Sequence, residues 1–359
     1  MSQAIRQHAE QAFEAEIEAL KQVDTYPKPP NWQLSPWAVL QYLMGGTLEN
    51  GFELEPKYIG NSRVIEIAIA TLATDRALLL LGVPGTAKTW VAEHLTAAIS
   101  GDSTLLVQGT AGTPEEAIRY SWNYAQLLSK GPNREALVPS PIMRAMELGK
   151  IGRVEELTRL PADVQDTLIT LLSEKMLPIP ELEDEVMAQQ GFNLIATAND
   201  RDKGVNDLSS ALRRRFNTVI LPLPATLEEE VDIVSTRVSS IGKMLQLPTE
   251  APAVDEIKRL VTIFRELRGG KSLDGSTRLK SPSSTLSTAE AISVAIQGIS
   301  LASHFGDGTL KAKDLAGGLV GAIVKEPDAD QMVLKEYLET VVKERGDWKD
   351  LYRAVKEIL

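Results

Sequence analysis

Ala77-Leu-Leu-Leu-Leu-Gly82-Val-Pro-Gly85-Thr-Ala-Lys88-Thr89 is the stretch on which the reading of this chain turns. An apolar run of strand length meets a loop of small residues, and then residues 90–99, whose apolar periodicity predicts a helix. Strand, glycine loop and helix in that order form a phosphate cradle. Backbone N–H groups of the loop and helix N-terminus converge on a polyphosphate, a lysine adds a point charge near its outer phosphates, and the following hydroxyl can ligate Mg²⁺. Gly82, Val83, Pro84, Gly85, Thr86, Ala87, Lys88 and Thr89 are therefore the candidate nucleotide-binding residues. The pattern G-x-x-x-x-G-K-[ST] is met at Gly82, Lys88 and Thr89, but Ala87 stands at its second glycine. The chain is expected to enter the helix there with negative φ, where one methyl fits and a β-branched residue would crowd the ligand.

With 359 residues, 43% of them hydrophobic, the chain can bury a large core and is expected to form two folded units plus smaller extensions. Its 49 acidic against 38 basic residues, a formal net charge of -11, disfavour a general affinity for nucleic acid or an anionic membrane surface. The absence of cysteine excludes disulfides and thiolate metal sites. Residues 1–23 lack the basic start and apolar stretch of a signal peptide, and no run is long enough to span a membrane. The expectation is a soluble cytoplasmic protein. His8, His94 and His304 lie far apart without ligand spacing, and read as structural or exposed rather than metal-binding. Neither a nucleophile elbow nor a zinc motif is present.

Ile5, Ala9, Phe13, Ile17 and Leu20 recur at helical spacing, so residues 2–23 are expected to form one amphipathic helix. The four prolines of residues 24–36 mark an extended arm, whose aromatics are expected to pack on the following unit rather than to bind a partner. Residues 37–44 and 62–73 read as helices. Beyond the phosphate loop, residues 104–108 predict a second strand and residues 114–128 a helix. The segment 109–141 is long for a connection inside a compact domain, and such length marks a working loop. Its Trp122 and Tyr124 fit either core packing or contact with a docked partner.

Residues 151–154 predict a third strand, followed by Glu155-Glu156 and a helix over 162–173. Beside a phosphate loop, one carboxylate of such a pair can organise Mg²⁺ while the other polarises the attacking water. Arg153 within the strand is unusual, and two glutamates before a helix N-terminus also satisfy its dipole. Residues 192–197 predict a fourth strand that ends at Ala198-Asn199, a side-chain amide at the edge where open α/β sheets bind ligands. Arg213-Arg214-Arg215 then precede a fifth strand over 218–223, and a guanidinium there could reach a phosphate in cis or from a neighbouring subunit, or form a solvated basic turn.

Taken in order, Gly82 to Thr89, Val154-Glu-Glu-Leu-Thr-Arg-Leu-Pro161, Ile195-Ala-Thr-Ala-Asn199 and Ala211-Leu-Arg-Arg-Arg-Phe216 make the chain similar to the AAA+ ATPases, and within them to the MoxR-type branch. Ala-Lys in the phosphate loop and the Glu-x-x-Arg-x-Pro continuation point to that branch. The resemblance implies an α/β fold, a P-loop core with a parallel five-stranded sheet flanked by helices, followed by an all-α lid. The implied division is an N-terminal helical extension and linker (1–57), a nucleotide-binding domain (58–225, with the insertion at about 109–141 facing a central pore) and the lid (226–359). Lys88 and Thr89 then bind the phosphates of ATP and Mg²⁺, and Glu155 fills the place of a metal-organising aspartate. Glu156 matches the catalytic base, Asn199 the polar sensor and Arg215 an arginine finger entering the adjacent subunit's site. A finger in trans implies a homo-oligomer, a hexameric ring.

Residues 227–242, 254–267, 287–303, 313–324 and 331–359 read as helices of that lid, interrupted by a Gly/Ser/Lys-rich stretch over 269–285 expected to be mobile. Ser287-Thr-Ala-Glu290 is a capping box. The branch usually places a phosphate-sensing arginine at this helix start. This chain has none, with Arg278 or Lys280 as substitutes. The function implied is Mg·ATP binding and hydrolysis coupled to chaperone-like remodelling or activation of a protein partner, often one with a von Willebrand factor A domain. The rival from another class is a nucleotide-gated switch or scaffold with little hydrolysis; a DNA-translocating motor is disfavoured by the acidic balance.

Overall fold

The computed structural model describes residues 6–199, 208–247 and 253–359. The chain divides into two compact units, Met1–Val83 with Ala87–Leu221, and Pro84–Thr86 with Pro222–Leu359.

In the first unit, α1 (Glu14–Val23), α2 (Pro36–Met44) and α3 (Ser62–Leu72) lead to β1 (Ala77–Gly82). The P-loop helix α4 (Lys88–Ser100), β2 (Leu106–Gln108), β3 (Ile151–Glu155), α5 (Ala162–Glu174), β4 (Asn193–Asn199) and β5 (Phe216–Ile220) follow. The five strands form one sheet of order β5-β1-β4-β3-β2. Every pairing is parallel, with Gly82 opposite Asn199 and Gln108 opposite Glu155. An interior parallel strand is covered on both faces, which is why β1 reads as a continuous apolar run. Successive side chains point to opposite faces. Leu78 and Leu80 accordingly join Ile65, Leu95 and Ile99 in one core, while Ala77 and Leu79 join Val164, Leu168 and Leu212 in the other.

Within the described residues the N-terminal helix is not continuous. A short turn of helix, Ala9–Ala12, stops at Phe13 (φ -119°, ψ 27°), and α1 starts afresh. The break turns the Phe13 ring edge-on to Tyr42, Trp90 and His94, and sets the Lys57 ammonium 4.1 Å from its centroid. Lys57 in turn forms a buried ion pair with Glu16. Aromatic burial thus outweighs helix continuity at one residue. Trp32 is buried in the same core, as expected of an arm packed on the unit that follows. His94 is fully buried and its Nδ1 shares a hydrogen bond of 2.8 Å with the Tyr42 hydroxyl, a structural role.

The expected helix over 114–128 is a β-hairpin insertion instead. Tyr120–Trp122 pairs antiparallel with Leu137–Pro139, and a short helix, Tyr124–Lys130, caps the loop between them. Tyr120 is buried and stacks edge-on with Trp122, so period-2 packing overrides the helical reading. A second hairpin, Met176–Ile179 with Asp184–Met187, had no sequence expectation. The two are tied together: the Tyr120 hydroxyl donates to Glu181 at 2.7 Å, Arg134 Nε to Asp184 at 3.0 Å, and Arg119 to the Pro178 carbonyl at 2.9 Å.

Ala87 also departs from expectation. It is the residue before α4 and lies in the left-handed region, φ 61°, ψ 23°, not at negative φ. Left-handed Gly85 (φ +83°) and Ala87 together reverse the chain from strand to helix within the loop. An alanine there costs roughly 1–2 kcal/mol, which a glycine would not incur.

The second unit is helical: α6 (Leu227–Met244), α7 (Val254–Gly269), α8 (Thr288–Phe305), α9 (Ala312–Ile323), α10 (Pro327–Tyr337) and α11 (Lys349–Ile358). Capping boxes open α6 (Thr226 with Glu229) and α8 (Ser287 with Glu290), the latter as expected. The single helix expected over 331–359 is interrupted by a π-turn, Leu338–Val342, and a short turn, Gly346–Trp348. Arg345 leaves the helix there to donate to Glu266 at 2.5 Å and to lie 4.4 Å from the Trp348 ring centroid. Fully buried Glu230 accepts from Arg265, Arg268 and Thr288 at 2.7–2.8 Å. Burial alone would raise its pKa, but the Arg268 hydrogen bond and charge, with those of Thr288 and Arg265, hold it below the usual carboxylate value.

The stretch 269–285, expected to be mobile, is tied down by bonds of its own. Leu279 N–H donates to the Gly270 carbonyl at 2.9 Å, and the Ser272 hydroxyl bonds Asp274 at 2.5 Å. Lys280 pairs with Glu336 at 2.8 Å. Its C-terminal part is fixed by Asp330, 1% exposed, which accepts from Ser283 N–H and Oγ (2.7 Å each), Lys325 N–H (2.9 Å) and Glu326 N–H (2.8 Å). Burial pushes the Asp330 carboxyl up, but these donors outweigh it and bring it to about 2.

Two outcomes follow from these positions. Because its folded pKa lies below the unfolded value of about 3.9, Asp330 contributes stability that is fully present above pH ~4 and lost as pH falls towards 2, on the order of 2 kcal/mol. Urea unfolding should therefore show Asp330→Ala less stable by about 2–3 kcal/mol at pH 7, the gap narrowing at pH 3 and below; equal midpoints at pH 7 would contradict the assignment. Ala87→Gly should gain up to about 1 kcal/mol in the same assay, whereas Ala87→Val should lose stability.

Candidate functional site

Because all five strands run parallel, the C-terminal ends of β1, β3 and β4 share one sheet edge, and the residues singled out in the sequence collect there. Thr89, in the first turn of α4, donates from Oγ1 to Glu155 Oε2 at 2.9 Å. Thr197 of β4 donates to the same oxygen at 2.5 Å, and Arg153 Nη2 reaches the other oxygen, Oε1, at 3.2 Å. Glu155 is only 2% exposed, so these donors replace the water it has lost. Glu156 follows in the left-handed conformation (φ 55°, ψ 47°), which turns the chain sharply out of β3. Its N–H donates to Thr197 Oγ1 at 3.1 Å, so one threonine hydroxyl anchors both members of the acidic pair. Asn199 Nδ2 donates to Glu156 Oε2 at 3.1 Å, and Arg159 Nε lies 3.5 Å from that oxygen.

Lys88, nearly buried, donates from Nζ to the carbonyls of Gly82 (2.9 Å) and Val83 (3.0 Å). Its ammonium is held over the loop that the sequence assigns to phosphate. Gly109 closes the site from the insertion side: its N–H donates to the Glu155 carbonyl at 2.8 Å, and a Cβ there would stand 2.5 Å from the Glu156 carbonyl oxygen. Glycine is therefore required for the insertion to leave the sheet over the acidic pair.

The chemistry of this donor set suits Mg²⁺. Thr89 Oγ1 and Glu155 Oε2 are 2.9 Å apart, about the spacing of two adjacent ligands in an octahedron of roughly 2.1 Å bonds. Glu156, at the same edge and about one-quarter exposed, has a carboxylate oriented by Asn199. Thr89, Glu155, Glu156 and Asn199 are thus brought together by direct bonds. Arg215 is not part of this cluster: its Nε donates to Ser173 Oγ and its Nη1 to the Ala211 carbonyl, both at 2.8 Å.

Two residues of the site were not predicted as part of it. Thr197 is two positions before Asn199, and strand periodicity places both on one face; a hydroxyl at that spacing was the available signal. Arg153 counted against the strand in sequence, whereas it is a buried partner of Glu155.

Family models match both units. Residues 77–216 match the AAA domain of the dynein-related subfamily, and residues 228–358 the YehL-like AAA+ ATPase C-terminal domain. The chain is similar to the protein YehL of Escherichia coli K12, with 39% identity over 350 residues that cover 94% of this chain and 93% of that one. It is also similar to the protein NorQ of Paracoccus denitrificans, with 26% identity over 231 residues, 64% of this chain and 78% of that one. Among solved structures, NtrX of Brucella abortus shares the fold, with a TM-score of 0.50 at 14% identity over 84% of this chain and 69% of that one. The sheet order, the phosphate loop, the acidic pair and these matches together establish that the chain belongs to the MoxR-type AAA+ ATPases, in the family of YehL.

Proposed function

We propose that the protein hydrolyses ATP at this sheet edge and couples the cycle to chaperone-like remodelling or activation of a partner protein. The observation that carries the reading is the bonded set Thr89–Glu155–Thr197–Glu156–Asn199 beside the Lys88 loop. Gly82 to Thr89 cradle the phosphates, and Lys88 exchanges its loop carbonyls for phosphate oxygens. Thr89 and Glu155 would hold Mg²⁺, which when bound would supply charge neutralisation for the phosphate oxygens. Glu156 takes a proton from the attacking water while Asn199 fixes the carboxylate's direction. Arg215 exchanges its Ser173 and Ala211 bonds for a phosphate in the neighbouring subunit's site, which requires a homo-oligomer, a hexameric ring.

The finer division into an N-terminal extension (1–57), a nucleotide-binding domain (58–225) and a lid (226–359) belongs to the same reading. So do a cytoplasmic setting and a partner bearing a von Willebrand factor A domain. Membership of the MoxR-type branch supports that class of partner. A formal net charge of -11 argues against nucleic acid as the substrate, and no described helix is long and apolar enough to cross a membrane. One observation favours a second reading. Arg153 already neutralises part of the Glu155 charge, as suits a nucleotide-gated switch with little hydrolysis.

Steady-state hydrolysis over a wide protein concentration series separates the two. Turnover per subunit should rise with concentration. Lys88→Ala should abolish nucleotide binding, and Glu156→Gln should keep binding while lowering turnover on the order of 10²–10⁴-fold. Unchanged hydrolysis in Glu156→Gln removes the base assignment. Arg215→Ala should be inactive alone and regain turnover when mixed with Glu156→Gln, since a mixed ring contains sites with both groups intact. Tight ATP binding with turnover no faster than that of Glu156→Gln at every concentration selects the switch.

A further inference from the structure

Arg153 is a charged group of this sheet edge to which the phosphate-loop chemistry gives no task. It lies two residues before Glu155 on β3, so strand periodicity puts both on one face. Its side chain is 4% exposed. Nη2 donates to Glu155 Oε1 at 3.2 Å and Nη1 to the Ser103 carbonyl at 3.3 Å, while Nε has no hydrogen-bond partner among the described residues. The Ser103 hydroxyl beside it is likewise buried without one. A guanidinium buried with one N–H unsatisfied costs stability, yet it is the counter-charge of buried Glu155, and an apolar side chain in its place would leave that carboxylate uncompensated. Charge pairing alone does not decide which carboxylate oxygen the arginine takes.

The geometry of Glu155 supplies a reason. A glutamate carboxylate is carried on three rotatable bonds and can present either oxygen in several directions. Here Thr89 and Thr197 converge on Oε2, and among the described residues Arg153 alone takes Oε1. We infer that Arg153 is a positioning residue for the cation site: it clamps Oε1 of Glu155 so that Oε2 faces the Thr89 hydroxyl. A glutamate held in this way offers one directed oxygen, as a shorter carboxylate does through its length. The inference rests on Thr89 and Glu155 being the cation's ligands.

The test uses the full-length protein and reads ADP binding by calorimetry with Mg²⁺ and with EDTA, beside thermal unfolding. Wild type should bind ADP more tightly with Mg²⁺, and the ratio of the two affinities measures the cation site apart from turnover. Arg153→Met should lower that ratio at least fivefold and leave EDTA-state affinity within about twofold of wild type, while Arg153→Lys, which keeps a donor at shorter reach, should recover part of the ratio. An unchanged ratio in Arg153→Met, or a fall in both affinities together with the unfolding temperature, overturns the inference in favour of a packing role. A larger ratio overturns it as well, since charge repulsion between Arg153 and the cation would then outweigh orientation. Should Arg153→Met not fold, Arg153→Lys decides alone, with a wild-type ratio counting against the clamp. Wild type without any Mg²⁺-linked tightening would instead remove the ligand assignment of Thr89 and Glu155, a distinguishable failure.

Discussion

The parallel pairing of β1 between β4 and β5 is the constraint on which the rest of the first unit depends. A strand enclosed on both sides and covered on both faces must be apolar throughout, and four consecutive residues, Ala77 to Leu80, are buried. Parallel pairing also sends every strand's C-terminal end to the same edge. Gly82 opposite Asn199, and Gln108 opposite Glu155, fix which side chains meet there. The phosphate loop, the acidic pair and the amide come together because of register, although more than a hundred residues separate Gly82 from Asn199 in the chain.

Hydrogen bonding at that edge is economical. The Thr197 hydroxyl donates to Glu155 and accepts from the Glu156 N–H, so a single side chain fixes the carboxylate of one acid and the backbone of the next. Bonds to charged groups are worth roughly 1.5–3 kcal/mol each, more than neutral ones. That is enough to offset part of the desolvation of Glu155, while the neutral Glu156 N–H bond to Thr197, worth about 1 kcal/mol, helps hold Glu156 in a left-handed conformation that a glutamate does not prefer. Local strain at Ala87 and Glu156 thus occurs on both sides of the site, where the surrounding sheet over-determines the backbone.

Elsewhere the unit spends charge on joining peripheral elements. Arg119, Tyr120 and Arg134 bind the insertion to the Met176–Met187 hairpin, which leaves Tyr124 and Leu128 at 73% and 88% exposure on the helix between the insertion's strands. In the helical unit, Glu230, Glu266 and Asp330 are each buried and each accept from several donors. Removing one partner would strand a charge or an unsatisfied donor in a low-dielectric interior, so each carboxylate ties together the segments whose donors it accepts from.

Much of this was legible in the chain itself. The β1 run, the helix start at Ser287 and the acidic pair at the end of a strand are local signals, set by side-chain chemistry within a few residues, and each was found where the sequence placed it. Two hairpins, the break at Phe13, the interrupted C-terminal helix and the bonded loop over 269–285 were not legible, because each depends on partners distant in sequence: Leu137–Pro139 for Tyr120, Tyr42 and Trp90 for Phe13, Glu266 for Arg345, Asp330 for Ser283. The same distinction holds within the site. Sequence determined that a lysine, two threonines, two glutamates and an asparagine exist at motif spacing. Only the tertiary structure decided that Thr197 holds both acids and that Arg153 faces Glu155, since register across parallel strands, not spacing along one, sets which of them touch.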